Sequence, residues 1–130
     1  MHFYHFTIIV RDFMKSYRFY TEFVGLKEQL RECVPGHHDL AFLADNADDT
    51  QIEIVKYDAP FCAEARGITL CFHTDDVAAL HKEAVEKGLN PSEIRNPDPQ
   101  NKYFYVYDPD GLSVEFKQKL PASLAKEDTC

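Results

Sequence analysis

The sequence predicts an α+β fold: two βαβββ modules related by pseudo-twofold symmetry and forming a cup-shaped mixed sheet. Three observations predict it. Apolar, β-branched runs with strand alternation are interrupted twice by apolar residues at helical spacing. The order strand, helix, three strands occurs twice within 130 residues. The two occurrences also align position by position, His5-Phe6-Thr7-Ile8-Ile9-Val10-Arg11-Asp12 lying over Thr69-Leu70-Cys71-Phe72-His73-Thr74-Asp75-Asp76. Farther on, Gly25-Leu26 lies over Gly88-Leu89, and Gln51-Ile52-Glu53-Ile54 over Ser113-Val114-Glu115-Phe116. Two units are too few for a solenoid, which needs at least three to bury its repeats.

In the first module, residues 3–10 read as a strand ending at Arg11-Asp12, where the Asp12 carboxylate can cap a helix. Phe13, Tyr17, Tyr20 and Val24 recur at helical spacing, Met14 widens the stripe, and Gly25 supplies the stop. Strands follow at 27–34, 40–44 and 51–56, separated by Pro35-Gly36, with His37-His38 in a solvated turn, and by the polar loop 45–50. Residues 58–66 lose the strand pattern and read as a connector.

The second module starts with a strand at 68–74 and the capping pair Asp75-Asp76. A stripe of Val77, Leu80, Ala84 and Val85 then runs to Gly88. Strands are expected at 92–96, 103–107 and 112–118, the last two joined by Asp108-Pro109-Asp110-Gly111, whose Pro and Gly suit a tight type I turn. The modules span 1–57 and 67–118, together one domain of residues 1–118, with a C-terminal tail at 119–130.

Acidic residues outnumber basic ones, 22 to 14, for a formal charge of −8. That is the wrong sign for a polyphosphate backbone or an anionic leaflet. No apolar run approaches the roughly 20 residues of a membrane span, and residues 1–5 lack the basic and apolar regions of a signal peptide. The expectation is a cytoplasmic protein with no nucleic-acid or membrane partner. Cys33, Cys62, Cys71 and Cys130 form no C-x-x-C pair, so they read as incidental or buried thiols and not as a disulfide frame or zinc knuckle.

Alternation places His5, Thr7 and Ile9 on one strand face and Phe6, Ile8 and Val10 on the other, which suits a helix. Glu53 stands between Ile52 and Ile54, and Glu115 between Val114 and Phe116, so a register slip would bury a carboxylate. These residues read either as an inward-facing site or as solvated strand positions. Tyr103 and Tyr105 share a face, as a ring-lined pocket wall or as core.

The sequence resembles the glyoxalase, bleomycin-resistance and extradiol-dioxygenase superfamily, the vicinal-oxygen-chelate fold. The stretches that carry the resemblance are residues 5–12, Phe19-Tyr20-Thr21-Glu22-Phe23-Val24-Gly25-Leu26, Ile52-Glu53-Ile54, Thr74-Asp75-Asp76-Val77 and residues 108–116. In the glyoxalase I branch, the first and last strands of each module supply the metal ligands, which here are the positions of His5, Glu53, Thr69 and Glu115. The resemblance thus implies a divalent metal (Ni, Zn, Mn, Fe or Co) on His5, Glu53 and Glu115, with Thr69 replacing a usual ligand. His73, four residues beyond Thr69 and roughly 13 Å along the strand, and Cys71, roughly 7 Å along, are too far to substitute directly. Thr69, Cys71, His73, Tyr103 and Tyr105 are candidates for the substrate pocket.

Two functions follow from the resemblance. One is a metal-dependent lyase or isomerase, lactoylglutathione-lyase-like, in which Glu115 or Glu53 moves a proton on a small oxygenated substrate. The other is a metal-free small-molecule binding protein like those of bleomycin resistance. An extradiol dioxygenase is a third reading, but its second histidine is missing. The arginine that glyoxalase I proteins often carry four residues after the first ligand is Ile9 here, which speaks against an anionic cosubstrate unless Arg31, Arg95 or Lys102 supplies the charge. The resemblance and the open sheet edges also imply a homodimer.

Overall fold

A computed structural model describes residues 1–121. By its contacts the chain divides into two compact units: Met1–Ala65 with Asp108–Gly111, and Arg66–Tyr107 with the residues from Leu112 on. Among the described residues no helix is long and apolar enough to cross a membrane.

The first unit holds β1 (His5–Ile9), α1 (Phe13–Arg18), β2 (Lys27–Val34), β3 (His38–Ala44) and β4 (Gln51–Tyr57). The sheet order is β1-β4-β3-β2, with β1 parallel to β4 and the other pairs antiparallel. Alternation sorts the faces as expected: Ile8, Val10, Ile52 and Ile54 are buried with α1 against β3 and β4, while His5, Thr7 and Glu53 point the other way. β1 starts at His5, not Phe3, because its partner β4 starts at Gln51, opposite His5, and leaves Phe3 and Tyr4 exposed.

Asp12 caps α1 by accepting from the Lys15 N–H at 3.1 Å. The helix then widens into a π-helical turn over Phe19–Phe23, closed by a Val24 N–H to Phe19 C=O bond of 3.0 Å. That extra residue per turn changes the expected stripe. Phe13, Ser16, Phe19, Tyr20 and Phe23 are buried, whereas Met14 is exposed and Tyr17 and Val24 are half-buried. Tyr17 donates to Glu28 at 2.9 Å, and Arg31 lies 4.9 Å from its ring centroid and 5.4 Å from that of Phe13. The segment ends at Gly25, whose φ of +85° only glycine adopts without strain. The solvated turn is shorter than expected, Pro35 to His37; His38 begins β3 opposite Tyr57, and its Nε2 lies 2.8 Å from Glu32.

The turn Asp108–Gly111 closes with Gly111 N–H donating to Asp108 C=O at 2.9 Å, as expected. Tyr20 donates to the Asp108 carboxylate at 2.7 Å, and the Asp110 carboxylate accepts from the Arg11 N–H and guanidinium, both at 3.1 Å, and from Ser16 at 3.3 Å.

The second unit repeats the pattern with β5 (Thr69–His73), α2 (Val77–Glu86), β6 (Arg95–Asp98), β7 (Asn101–Tyr107) and β8 (Ser113–Lys119), in the order β5-β8-β7-β6. The cap is Asp76 alone, accepting from Ala79 N–H at 3.0 Å. Val77 and Ala84 are buried, but Val85 is 57% exposed; His81 takes its place on the packed face, edge-on to Phe104 at 5.1 Å. Phe104 and Phe116 lie 5.4 Å apart in the core.

β6 lies later than the expected 92–96. Its register with β7 is broken between Arg95 and Asp98, as fits an edge strand carrying Pro97, which has no N–H to donate. Ser92 instead bonds Tyr105 through both its N–H and its hydroxyl, each at 2.9 Å. The expected tail at 119–130 starts too early: Lys119 closes β8, and Leu120 N–H bonds Gln100 C=O at 2.7 Å. Residues 122–130, with Cys130, lie outside the described residues.

Candidate functional site

Each unit presents one sheet face bearing polar groups: the first carries Glu53, with Glu32 toward its β2 edge, and the second carries Glu115. In the first unit the parallel register sets Thr7 directly across from Glu53, while His5 faces Gln51. The Thr7 hydroxyl donates to Glu53 Oε1 at 2.7 Å. His5 Nδ1 lies 3.1 Å from Thr7 Oγ1 and 3.8 Å from Glu53 Oε1. Tyr4 and Phe42 flank the imidazole, with centroids 5.4 and 5.3 Å away. The side chains of His5 and Glu53 keep 34% and 16% of their exposure, so both reach a surface and neither floats free in it.

In the second unit the corresponding register sets Cys71 across from Glu115, Thr69 across from Ser113 and His73 across from Lys117. Tyr105 lies opposite Glu115 on the other side, and Tyr103 opposite Lys117. The Thr69 hydroxyl donates to Ser113 Oγ at 3.1 Å. Lys117 Nζ stands 3.6 Å from Glu115 Oε2 and 5.8 Å from the Tyr103 ring centroid. Tyr103 and Tyr105 meet edge to face at 5.7 Å, both half-buried. Burial first, then the Glu115 charge and hydrogen bond, push the Cys71 thiol and the Tyr105 phenol above their usual ranges. His73 is largely exposed, with its Nδ1 4.0 Å from Asp75.

The structure therefore brings His5 together with Glu53, and Glu115 together with Cys71, Tyr105 and Lys117. Sequence reasoning misses Thr7 and Lys117. Lys117 can be found from spacing alone, since it lies two residues beyond Glu115 and so on the same strand face. Alternation likewise puts Thr7 on the face of His5, but its pairing with Glu53 needs the β1–β4 register, which spacing does not supply.

Within the second unit, Glu115 and Thr69 do not favour a divalent ion. A bound ion would have to displace the Lys117 ammonium from Glu115, and Thr69 offers a neutral hydroxyl already directed at Ser113. Among the described residues no group of three or more His, Cys, Asp or Glu side chains is placed to hold a metal. Two clefts in the first unit, of about 240 and 390 Å³, lie along Arg11, Lys56 and Phe61 and along the β2–β3 turn; His5 and Glu53 line neither.

The family model of the Glyoxalase/Bleomycin resistance protein/Dioxygenase superfamily matches residues 2–116. The chain is 33% identical over 120 residues to the uncharacterized protein YwbC of Bacillus subtilis (strain 168), covering 88% of this chain and 95% of that one. Among solved structures it is similar to TnmS3, an antibiotic binding protein from Streptomyces sp. CB03234, at 25% identity and a TM-score of 0.73, covering 92% and 97% of the two chains. It is also similar to SMU.1112c, at 30% identity and a TM-score of 0.71, covering 90% and 98%.

Proposed function

The chain belongs to the Glyoxalase/Bleomycin resistance protein/Dioxygenase superfamily, and within it we propose that it is a metal-independent binding protein for a small oxygenated aromatic molecule. The observation that carries this reading is the Lys117–Glu115 pair at 3.6 Å: a protein cation stands at the carboxylate where the family's metal would bind. On the same face of the second unit's sheet Tyr103 and Tyr105 offer ring surfaces. Taken by itself, the first unit's face offers His5, Thr7 and Glu53 as polar groups. The 25% identity with the antibiotic-binding TnmS3 over nearly the whole chain supports the same reading.

Titration calorimetry with 1-naphthol as the probe, in excess EDTA, tests it. Saturable binding that EDTA leaves unchanged is the expected result; binding lost to EDTA and restored by Zn²⁺ or Ni²⁺ overturns it.

The competing lyase reading, with His5, Glu53 and Glu115 as ligands and Glu115 or Glu53 as base, has one observation in its favour: His5 and Glu53 share a face at 3.8 Å. It requires Glu115 to exchange Lys117 for a metal. Incubation with the methylglyoxal–glutathione hemithioacetal and Ni²⁺ or Zn²⁺ distinguishes the two, and thioester formation is the outcome that would establish the lyase.

A further inference from the structure

We infer that His5 is the specificity-determining acceptor of this protein: Thr7 and Glu53 hold its proton on Nδ1, leaving Nε2 to accept a hydrogen bond from an O–H or N–H group of the ligand. This role rests on the binding reading above and deepens it.

The proton positions follow in turn along a three-residue chain. An ionised carboxylate only accepts hydrogen bonds, and a threonine hydroxyl has a single hydrogen to give. The Thr7 hydrogen goes to Glu53 Oε1, at 2.7 Å. Toward His5, 3.1 Å away on its other side, Thr7 Oγ1 can therefore only accept, and Nδ1 must carry the proton that it accepts. Glu53 Oε1, 3.8 Å from Nδ1, favours the same arrangement electrostatically. In neutral imidazole one nitrogen donates and the other accepts, so fixing the proton on Nδ1 makes Nε2 the acceptor. Among the described residues Nε2 has no hydrogen-bond partner. Tyr4 and Phe42 flank the ring and limit its rotation.

The repeat shows that this is a property of one module only. In the second unit, Cys71 takes the place of Thr7 opposite Glu115, and the position of His5 is held by Thr69, which donates to Ser113. The chain of polar groups there ends on a donor already in use. The first unit alone ends its chain on an acceptor nitrogen, which makes the ligand preference directional: a hydroxyl is selected over its methyl ether.

Two measurements on the full-length protein test this. Long-range ¹⁵N–¹H correlation spectra at about pH 8, where imidazole is neutral, report which His5 nitrogen is protonated. The Nδ1–H form is expected in the wild type and in Thr7→Ser, with the preference lost in Thr7→Val; a wild-type Nε2–H form overturns the inference. Calorimetric titration then compares 1-naphthol with 1-methoxynaphthalene, which lacks the donor. The wild type is expected to favour 1-naphthol by about 3- to 10-fold, the usual range for one hydrogen bond, and His5→Phe to bind the two equally. Equal binding by the wild type overturns this inference and leaves the binding reading standing, whereas failure to bind either probe overturns both.

Discussion

The phenol of Tyr20 donates a 2.7 Å hydrogen bond to the carboxylate of Asp108, two groups 88 positions apart in sequence and both buried. Burial first, and then the neighbouring Asp108 charge, raise the Tyr20 pKa well above its ordinary value. A phenol whose folded pKa is raised contributes stability that is fully present below its unfolded pKa of about 10 and is lost as pH rises beyond it. Urea denaturation as a function of pH should therefore show stability falling above about pH 10, and Tyr20→Phe should flatten that limb. At neutral pH the same variant should lose about 1–3 kcal/mol, because a buried carboxylate gives up one of its donors. An unchanged alkaline limb in Tyr20→Phe would exclude this assignment.

Arg11 and Asp110 make the second connection to the same turn. The Asp110 side chain is 1% exposed and the Arg11 side chain 49%, so the pair is half screened by solvent. Arg11→Ala should cost about 1–3 kcal/mol by leaving a buried carboxylate with fewer donors. The loss should be smaller in an Asp110→Asn background, which a double-mutant cycle in urea would show.

Cys71 should react slowly with iodoacetamide, since the thiolate is the nucleophile and burial with the Glu115 charge disfavours it. Glu115→Gln should accelerate labelling of Cys71, followed by peptide mass spectrometry at neutral pH. Equal rates in the two proteins would show that Glu115 does not act on the thiol.

Gly25 and Gly88 hold equivalent helix ends with φ of +85° and +70°. Alanine at either position should destabilise the fold by about 1–2 kcal/mol through the left-handed backbone alone, as urea denaturation would measure. The added methyl group would meet no atom within 4 Å beyond its immediate neighbours at either glycine, so crowding adds nothing to that cost.

The strands β2 and β6 lie at the edges of their sheets. A homodimer is the expected solution state, with a mass of about 30 kDa by analytical ultracentrifugation, since closed pairing of two copies is the common way to shield such edges. A sedimentation mass of one chain would refute it.

What can be read from the sequence follows the range of the interaction involved. Asp12 and Asp76 are recognisable as caps because a cap needs only the three residues that follow it. The inward faces of β4 and β8 are recognisable because Ile52, Ile54, Val114 and Phe116 bracket their glutamates in strict alternation. The widening at Phe19–Phe23 is not, since the same aromatic residues satisfy an ordinary helix equally well. The position of β6 escapes because Asn96-Pro97-Asp98 carries no alternation, and its location is set by β7. At the candidate site, His5 and Glu53 stand out as residue types. Thr7 does not, because its role comes from a pairing across 46 positions.

The discontinuity of the first unit also bears on the order in which the chain can complete itself. Its core residues emerge from the ribosome early, yet the turn that receives Tyr20, Arg11 and Ser16 is made only after some forty further residues beyond Arg66 have followed. The amino-terminal half can gather its apolar face before then, but it cannot satisfy those polar groups, so its final locking waits for the synthesis of Asp110.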